Sequence, residues 1–90
     1  MKNIPKLYAQ ENTPTKEQVV YAHFFYGSCD WFVTEFDGED IMFGYAIING
    51  DEQNAEWGYT SLQELKEISK IEFDKYWTTK KVKKIEKIKL

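Results

Sequence analysis

The clearest pattern of strands and turns in this sequence runs from Trp31 to Gly50 and reads WFVTEFDGEDIMFGYAIING. It holds two runs of aromatic and β-branched residues, 31–36 and 41–48, separated by a segment that begins with Asp-Gly. Runs of this composition are typical of β-strands, and Asp-Gly between them is a strong hairpin signal. Asn-Gly after the second run is a further turn signal. The stretch therefore predicts two antiparallel strands joined by a hairpin.

Further strands are predicted on both sides of this hairpin. The run 19–26 precedes it and ends at a Gly-Ser turn, and the run 55–60 follows it. The run 71–77 alternates enough to form a fifth strand. Both faces of the strands 19–26 and 41–48 are apolar, so we expect other segments of the chain to cover both sides of the sheet. The tight turns favour an antiparallel meander.

Two helical segments are predicted after the strands. Ser61 with Glu64 three residues later is a capping-box pattern, in which side chains bond the free backbone groups of a helix start. We therefore predict a capped helix over 61–69, with an apolar stripe of Leu62, Leu65 and Ile68. The tail carries a second stripe among its lysines, which predicts a short amphipathic helix. That stripe consists of Val82, Ile85 and Ile88.

Together these elements predict an α+β fold. We expect a four- or five-stranded mainly antiparallel sheet with one capped helix and a short C-terminal amphipathic helix. The 90 residues suit one domain over 1–90. Within it we predict an extended arm over 1–16, where both prolines lie, a core over 17–77 and a lysine-rich tail over 78–90.

The charges are unevenly distributed along the chain. Residues 11–64 hold eleven acids and one lysine, whereas residues 66–90 hold nine lysines and four acids. All twelve cations are lysines, so the chain lacks the guanidinium fork that reads phosphates and guanine edges with paired hydrogen bonds. Base-specific nucleic-acid recognition is therefore disfavoured, although lysine can still bind phosphate as a point charge.

Composition also disfavours several classes of protein. No apolar run approaches the ~20 residues that a membrane-spanning helix needs, and the sequence opens without a signal-peptide pattern. The single cysteine, Cys29, excludes an internal disulfide and a multi-cysteine zinc site. We therefore expect a cytoplasmic protein without membrane contact, cofactor or metal.

The densest acidic cluster lies at the predicted hairpin and consists of Glu35, Asp37, Glu39 and Asp40. Four carboxylates around a turn could coordinate a hard cation such as calcium or magnesium. The spacing does not match the twelve-residue calcium loop, however. We therefore favour a solvated turn whose charges repel self-association.

Glu35 is the exception within this cluster. Simple alternation places it on the same strand face as Trp31 and Val33, so we expect its side chain to be partly buried. A buried carboxylate needs a hydrogen-bond partner, and we expect Tyr8 or a lysine to supply one. Such a residue has a structural role more often than a catalytic one.

His23 and Cys29 are the only residues of their types. They could form a base and a nucleophile, with Glu35 or Asp30 orienting the base. No glycine-flanked nucleophile motif surrounds Cys29, since Gly27-Ser28-Cys29-Asp30 reads as a plain turn. We therefore predict that the protein is not an enzyme and that His23 belongs to the sheet.

Several ordered motifs resemble the family catalogued as domain of unknown function 2958. The motifs are Pro5-Lys6-Leu7-Tyr8-Ala9-Gln10-Glu11, Phe24-Phe25, residues 31–40, Phe43-Gly44 and residues 56–65. The resemblance covers about residues 5–77 and departs from the family pattern over 79–90, where lysines are more frequent. It implies a setting in phages, plasmids or conjugative elements, and it supplies no catalytic residues. Small proteins in that setting often bind and block host machinery, an argument by association rather than by chemistry.

Our leading hypothesis is a non-enzymatic protein-interaction module from a phage or mobile element that acts in the host cytoplasm. In its most specific form, this hypothesis describes a counter-defence inhibitor of a host nucleic-acid-binding protein. We expect the acidic hairpin around 37–40, with Trp31 and Trp57 beside it, to contact a basic host protein. The candidate binding residues are Trp31, Glu35, Asp37, Glu39, Asp40 and Trp57.

Two alternatives use the lysines. A nucleotide-like small ligand could stack on exposed aromatics while the tail lysines meet its phosphates. Nucleic acid could also contact the tail lysines, which are Lys80, Lys81, Lys83, Lys84, Lys87 and Lys89. Against both, we favour a helix docked on the sheet with its lysines in water. The sequence leaves the oligomeric state open.

Overall fold

The computed structural model describes residues 4–68 and 70–88. Its strands, in chain order, are β1 (Val19–Val20), β2 (Ala22–Tyr26), β3 (Cys29–Phe36), β4 (Ile41–Ile47), β5 (Glu56–Ser61), β6 (Glu72–Phe73) and β7 (Lys80–Lys81). One α-helix, α1 (Leu62–Lys66), lies between β5 and β6. Single turns of 3₁₀ helix occupy Thr15–Glu17 and Val82–Lys84.

The strands form a five-stranded antiparallel sheet and a smaller two-stranded one. The large sheet has the order β5-β4-β3-β2-β6, and β1 pairs with β7. The predicted α+β fold with a mainly antiparallel sheet is confirmed. The predicted strand 19–26 divides at Tyr21, since β1 pairs with β7 while β2 pairs with β3. The fifth strand is short because the chain turns at Asp74, whose carboxylate accepts a hydrogen bond from the Tyr76 backbone N–H.

The capped helix forms at the predicted place and is brief. The Ser61 hydroxyl accepts a hydrogen bond from the Glu64 backbone N–H, with 3.2 Å between nitrogen and oxygen. Leu65 is buried, whereas the other two apolar residues of the stripe are only half-buried. Tertiary packing supplies most of the stability of a helix. A stripe with one buried residue therefore stabilises little more than one turn. The last residue of the predicted helix, Ser69, lies outside the described residues.

Each face of the large sheet carries its own core. On one side, called here the tail face, the C-terminal stripe packs against the sheet; this core contains Val20, Phe32, Tyr45, Ile47, Val82, Ile85 and Ile88. On the other side, the helix face, α1 supplies the cover; this core contains Ala22, Phe24, Trp31, Val33, Met42 and Leu65. The C-terminal stripe is thus buried, but the predicted amphipathic helix is wrong: within the described tail the only helical turn is a 3₁₀ turn over Val82–Lys84.

The predicted extended arm is folded where the structure describes it. Residues 7–12 form turns, held by backbone hydrogen bonds from Ala9 to Lys6, from Glu11 to Tyr8 and from Thr13 to Gln10. The prolines alone indicated an extended chain, so this part of the prediction is wrong. The reason is a long-range contact with β3, described below. The first three residues of the arm lie outside the described residues.

Candidate functional site

A β-bulge in β3 decides which face of the sheet receives Glu35. The register pairs Val33 with Gly44 and then Glu35 with Phe43, so Thr34 is an extra residue between the two pairs. An extra residue reverses the alternation of side chains beyond it. Glu35 therefore joins Phe43 on the tail face, and the prediction that it shares a face with Trp31 and Val33 is wrong.

The Glu35 carboxylate holds the N-terminal segment against the sheet. One oxygen accepts a hydrogen bond from the Tyr8 backbone N–H and the other accepts one from the Gln10 backbone N–H, both at 2.8 Å. Glu35 is only 5% exposed, so the expectation of a buried, hydrogen-bonded carboxylate is confirmed. Its Tyr8 partner is the backbone amide rather than the phenol. Tyr8 adopts a left-handed φ of 70°, which turns the chain so that both amides point inward.

Three aromatic side chains, Tyr8, Phe43 and Tyr59, line a pocket with this carboxylate, and Trp57 packs beside Phe43. These four side chains are called here the aromatic face. The Phe43 ring centroid lies 5.1 Å from that of Tyr59 and 6.1 Å from that of Trp57. The Tyr59 hydroxyl donates a hydrogen bond to the Tyr8 hydroxyl at 3.2 Å, which ties the N-terminal segment to the outer strand. Tyr8 is 60% exposed and Tyr59 is 56% exposed. The rings are therefore fixed in position and still reachable from solvent.

A pocket of about 280 Å³ opens on the aromatic face. It is lined by Tyr8, Glu11, Gln18, Glu35, Phe43 and Tyr59. The hydrogen bond with Tyr8 raises the pKa of Tyr59, and the nearby glutamates raise it further, so its phenol stays neutral at physiological pH. Aromatic ring faces and carboxylates both attract cations. The pocket is thus suited to a positively charged group.

Among the predicted contact residues, the two tryptophans have different positions. Trp31 is 8% exposed and belongs to the helix-face core. A partner could reach it only by unpacking that core, so the prediction of Trp31 as a contact residue is wrong. Trp57 is half-buried on the aromatic face, where its ring packs edge-on against Tyr45 at 5.2 Å.

The acids of the hairpin turn have structural contacts. One oxygen of Asp37 accepts hydrogen bonds from the backbone N–H groups of Glu39, Asp40 and Ile41 at 2.7–3.0 Å. These bonds, that from Asp40 foremost, hold the pKa of Asp37 below its ordinary value. The two oxygens of Asp40 accept from the Ser61 hydroxyl and the Gln63 N–H, each at 2.7 Å. Of the three acids in the turn, only Glu39 is exposed and has no such structural hydrogen bond among the described residues. Over 4–68 and 70–88, no group of histidine, cysteine or acidic residues could hold a metal ion.

His23 and Cys29 do not form the nucleophile and base considered above. His23 pairs with Phe32, and their rings stack at 4.6 Å within the tail-face layer. Cys29 packs against the core of the opposite face, and its sulfur contacts Asn49. The two side chains therefore lie on opposite sides of the sheet, and the proposed pair is not formed.

His23 instead lies in an ion-pair network. Its two ring nitrogens face Asp30 at 2.7 Å and Asp74 at 3.1 Å. A ring nitrogen that carries a proton donates a hydrogen bond to the carboxylate that it faces. The hydrogen bond from His23 lowers the pKa of Asp74. Asp30 also accepts a bond from the Lys87 ammonium at 3.0 Å, which ties the tail to β3.

Most described lysines of the tail are engaged within the chain. Lys81 and Lys83 both bond the Glu17 carboxylate, at 2.8 and 2.9 Å, and lower its pKa to about 2. The Lys80 ammonium lies 4.5 Å from the centre of the Trp77 ring. With Lys87 bound to Asp30, these contacts neutralise much of the basic tail and weaken the interpretation as a phosphate-binding segment. The prediction for Lys89 lies outside the described residues.

Of the six pocket residues, the sequence interpretation identified only Glu35 and missed Tyr8, Glu11, Gln18, Phe43 and Tyr59. One signal was present, since Trp57 and Tyr59 are two apart on a strand and must share a face. Tyr8 carried no such signal, because its place depends on a contact with a residue 27 positions away.

Comparison with known proteins finds no matching family model, no matching curated protein and no matching solved structure. Within the described chain, no helix is both long and apolar enough to cross a membrane. The function is therefore argued from the chemistry of the site.

Proposed function

We propose that this chain is a non-enzymatic protein-interaction module that binds a basic segment of a partner protein at the aromatic face. The observation that carries the proposal is the pocket of exposed aromatic rings and glutamates beside Tyr8 and Tyr59. Aromatic residues supply most of the binding energy at protein interfaces, and opposite charge accelerates association.

The charge distribution supports a basic partner. The pocket is lined by Glu11 and Glu35 and includes no lysine among the described residues. Three tail lysines, Lys81, Lys83 and Lys87, are bound to Glu17 and Asp30, which do not line the pocket. The pocket therefore combines exposed aromatic rings with an exposed acid, Glu11. Nucleic-acid-binding proteins carry basic surfaces of the matching sign.

The biological setting is part of the same proposal. We place the protein in the cytoplasm of a host cell, as a product of a phage or mobile element, in line with the resemblance to domain of unknown function 2958. In that setting it acts as a counter-defence inhibitor that occupies the basic surface of a host nucleic-acid-binding protein. The support for this setting is the resemblance alone.

The proposal is tested by selecting from a displayed library of random twelve-residue peptides on the purified protein. We expect enrichment of peptides rich in lysine and arginine. Tyr59→Ala should weaken the best of them by about 10-fold or more, the usual effect of truncating a central aromatic residue. Tyr76→Ala is the matched control, because Tyr76 is 92% exposed and lies outside the pocket.

Two outcomes would contradict the proposal. One is a selection that enriches no basic peptide. The other is an equal loss of binding in Tyr59→Ala and Tyr76→Ala, which would indicate nonspecific adhesion to exposed tyrosine. Raising the salt concentration should slow association, since the attraction to Glu11 is screened.

A nucleotide-like small ligand is the second candidate, and one observation favours it. A pocket of about 300 Å³ on the helix face is lined by Phe24, Leu62, Lys66 and Phe73. Phe73 is 45% exposed, so a base could stack on it while Lys66 meets a phosphate. A rise in melting temperature with ATP, lost in Lys66→Gln, would favour this candidate over the first.

A further inference from the structure

The outer strand β5 leaves one edge of the large sheet open. The sheet order places β5 at the end, next to β4 only. Its six residue pairs with β4 run from Glu56 to Ser61 without a bulge. No other described strand pairs with its outer side. An edge of this length presents unpaired backbone groups that can template another strand.

The register identifies which backbone groups are open. The Leu62 N–H donates a hydrogen bond to the Asp40 carbonyl, so Leu62 and Asp40 form a hydrogen-bonded pair. The next pair along the ladder, Ile41 with Ser61, is therefore a non-hydrogen-bonded pair. The two kinds alternate along an antiparallel ladder. The Tyr59 and Trp57 pairs with β4 are therefore also non-hydrogen-bonded. Their N–H and C=O groups point away from β4, toward the open edge.

The open edge also lacks the features that usually protect one. Natural edge strands are often blocked by lysine, proline or a bulge. β5 reads Glu-Trp-Gly-Tyr-Thr-Ser, with one charge and neither lysine nor proline. Gly58 lies in the middle of the strand, and a Cβ atom added to it would have no atom of another described segment within 4 Å. An approaching strand would thus find space on the helix face and aromatic rings on the tail face.

We propose that an extended basic segment of the partner protein adds to β5 as a further strand. This inference rests on the proposed function and specifies how the partner is bound. Alternate side chains of the added strand lie over Trp57 and Tyr59, where arginine or lysine gains cation–π contact and meets Glu11. The backbone groups of the same two residues supply the hydrogen bonds, as in other cases of β-strand addition.

Charge selects a basic segment over a second copy of this chain. The edge carries Glu56 and the adjoining pocket carries Glu11 and Glu35. Two copies joined through β5 would bring these acidic surfaces together, and like charges across an interface are unfavourable. A basic strand instead neutralises them.

The inference is tested by amide hydrogen exchange, followed by NMR. The probe is the capped heptapeptide Thr-Arg-Val-Arg-Val-Arg-Thr, and its glutamate analogue in place of arginine is the control. In the free protein, the Trp57 and Tyr59 amides should exchange faster than those of Gly58 and Thr60, which bond β4. Bound heptapeptide should slow exchange at Trp57 and Tyr59 by about 10-fold or more, as expected for a newly formed hydrogen bond.

Backbone N-methylation of the heptapeptide gives an independent readout. In an added strand only alternate N–H groups face β5, so methylating the arginines and methylating the valines should have unequal effects. We expect one of the two methylated peptides to lose about 10-fold or more in affinity while the other changes little. Equal effects of the two would overturn strand addition.

The remaining outcomes separate this inference from the proposed function. If library-selected basic peptides bind but the Trp57 and Tyr59 amides stay unprotected, or the heptapeptide fails to bind, strand addition is wrong and the proposed function stands. If no basic peptide is selected, both are wrong. If the two amides are already protected in the free protein and sedimentation gives a dimer, a second copy occupies the edge and the inference is overturned.

Discussion

Glu35 shows how a single side chain positions a distant segment. Its burial could be predicted from the apolar neighbours on its strand, whereas its face could not, because the bulge at Thr34 reverses the alternation. Its two oxygens bond the Tyr8 and Gln10 amides, and so place the Tyr8 ring on the aromatic face. The residue is thus structural in role, and the proposed binding surface depends on it indirectly.

We predict that Glu35→Gln lowers the free energy of unfolding by about 1–3 kcal/mol. The amide group keeps one acceptor oxygen but turns an N–H donor toward a backbone N–H, which leaves a buried donor without a partner. Urea unfolding followed by tryptophan fluorescence measures the change. Glu11→Gln is the matched control, since Glu11 lines the same pocket and is exposed. Equal stability of the two variants would contradict the role given to Glu35.

At the scale of elements, the hairpin turn and the helix are joined by one carboxylate. From the sequence, charge reversal at Glu39 and Asp40 is expected to slow partner association and leave the melting temperature nearly unchanged. The structure gives Glu39 and Asp40 different roles. Asp40 bonds the Ser61 hydroxyl and the Gln63 N–H at the start of α1, whereas Glu39 is exposed.

We therefore predict that Asp40→Ala destabilises the protein by about 1–2 kcal/mol, the usual cost of losing such a cap. Glu39→Ala should change stability by less than ~0.5 kcal/mol, as for most surface substitutions. Thermal unfolding by circular dichroism compares the two variants at one pH. A similar loss in both, or in neither, would mean that the tether between the turn and α1 is unimportant.

At the scale of the whole molecule, the basic tail packs back on the acidic body. Lys81 and Lys83 bond Glu17, β7 pairs with β1, and Lys87 bonds Asp30. These contacts join segments more than fifty residues apart. They make the tail part of the fold, and none of the three lysines lines the pocket on the aromatic face.

The Glu17 contacts predict a specific dependence of stability on pH. Hydrogen bonds from Lys81 and Lys83 lower the pKa of Glu17 from 4.5 to about 2. A carboxyl group with a lowered folded-state pKa stabilises the protein above its unfolded-state pKa, and this contribution disappears as the pH falls through the folded-state pKa. We expect the melting temperature of the wild type to exceed that of Glu17→Gln above pH 4.5, with a difference that shrinks as the pH falls and disappears only below pH 2.

Melting temperatures at several pH values in low salt measure this difference, and Glu39→Gln is the control for loss of one acid. Added salt should also reduce the difference, because the pairs are exposed. A gap between wild type and Glu17→Gln that is the same at pH 2 and pH 7 would contradict an electrostatic origin.

Much of the local structure of this protein could be predicted from short stretches of sequence. The hairpin over 31–48, the cap at Ser61 and the burial of the C-terminal stripe were all predictable, because turns, caps and apolar periodicity are encoded within a few neighbouring residues. Trp57 was identified in the same way, as an aromatic residue on a strand.

The candidate site, in contrast, depends on how distant segments pack together. The bulge at Thr34 moves Glu35 to the tail face, the core takes Trp31 out of reach, and Tyr8 meets Tyr59 across 51 residues. The open edge of β5 likewise follows from strand order, which no local pattern states. These features arise from contacts between distant segments. The energies of these contacts depend on which groups the whole fold brings together. Short-range sequence patterns therefore do not predict them.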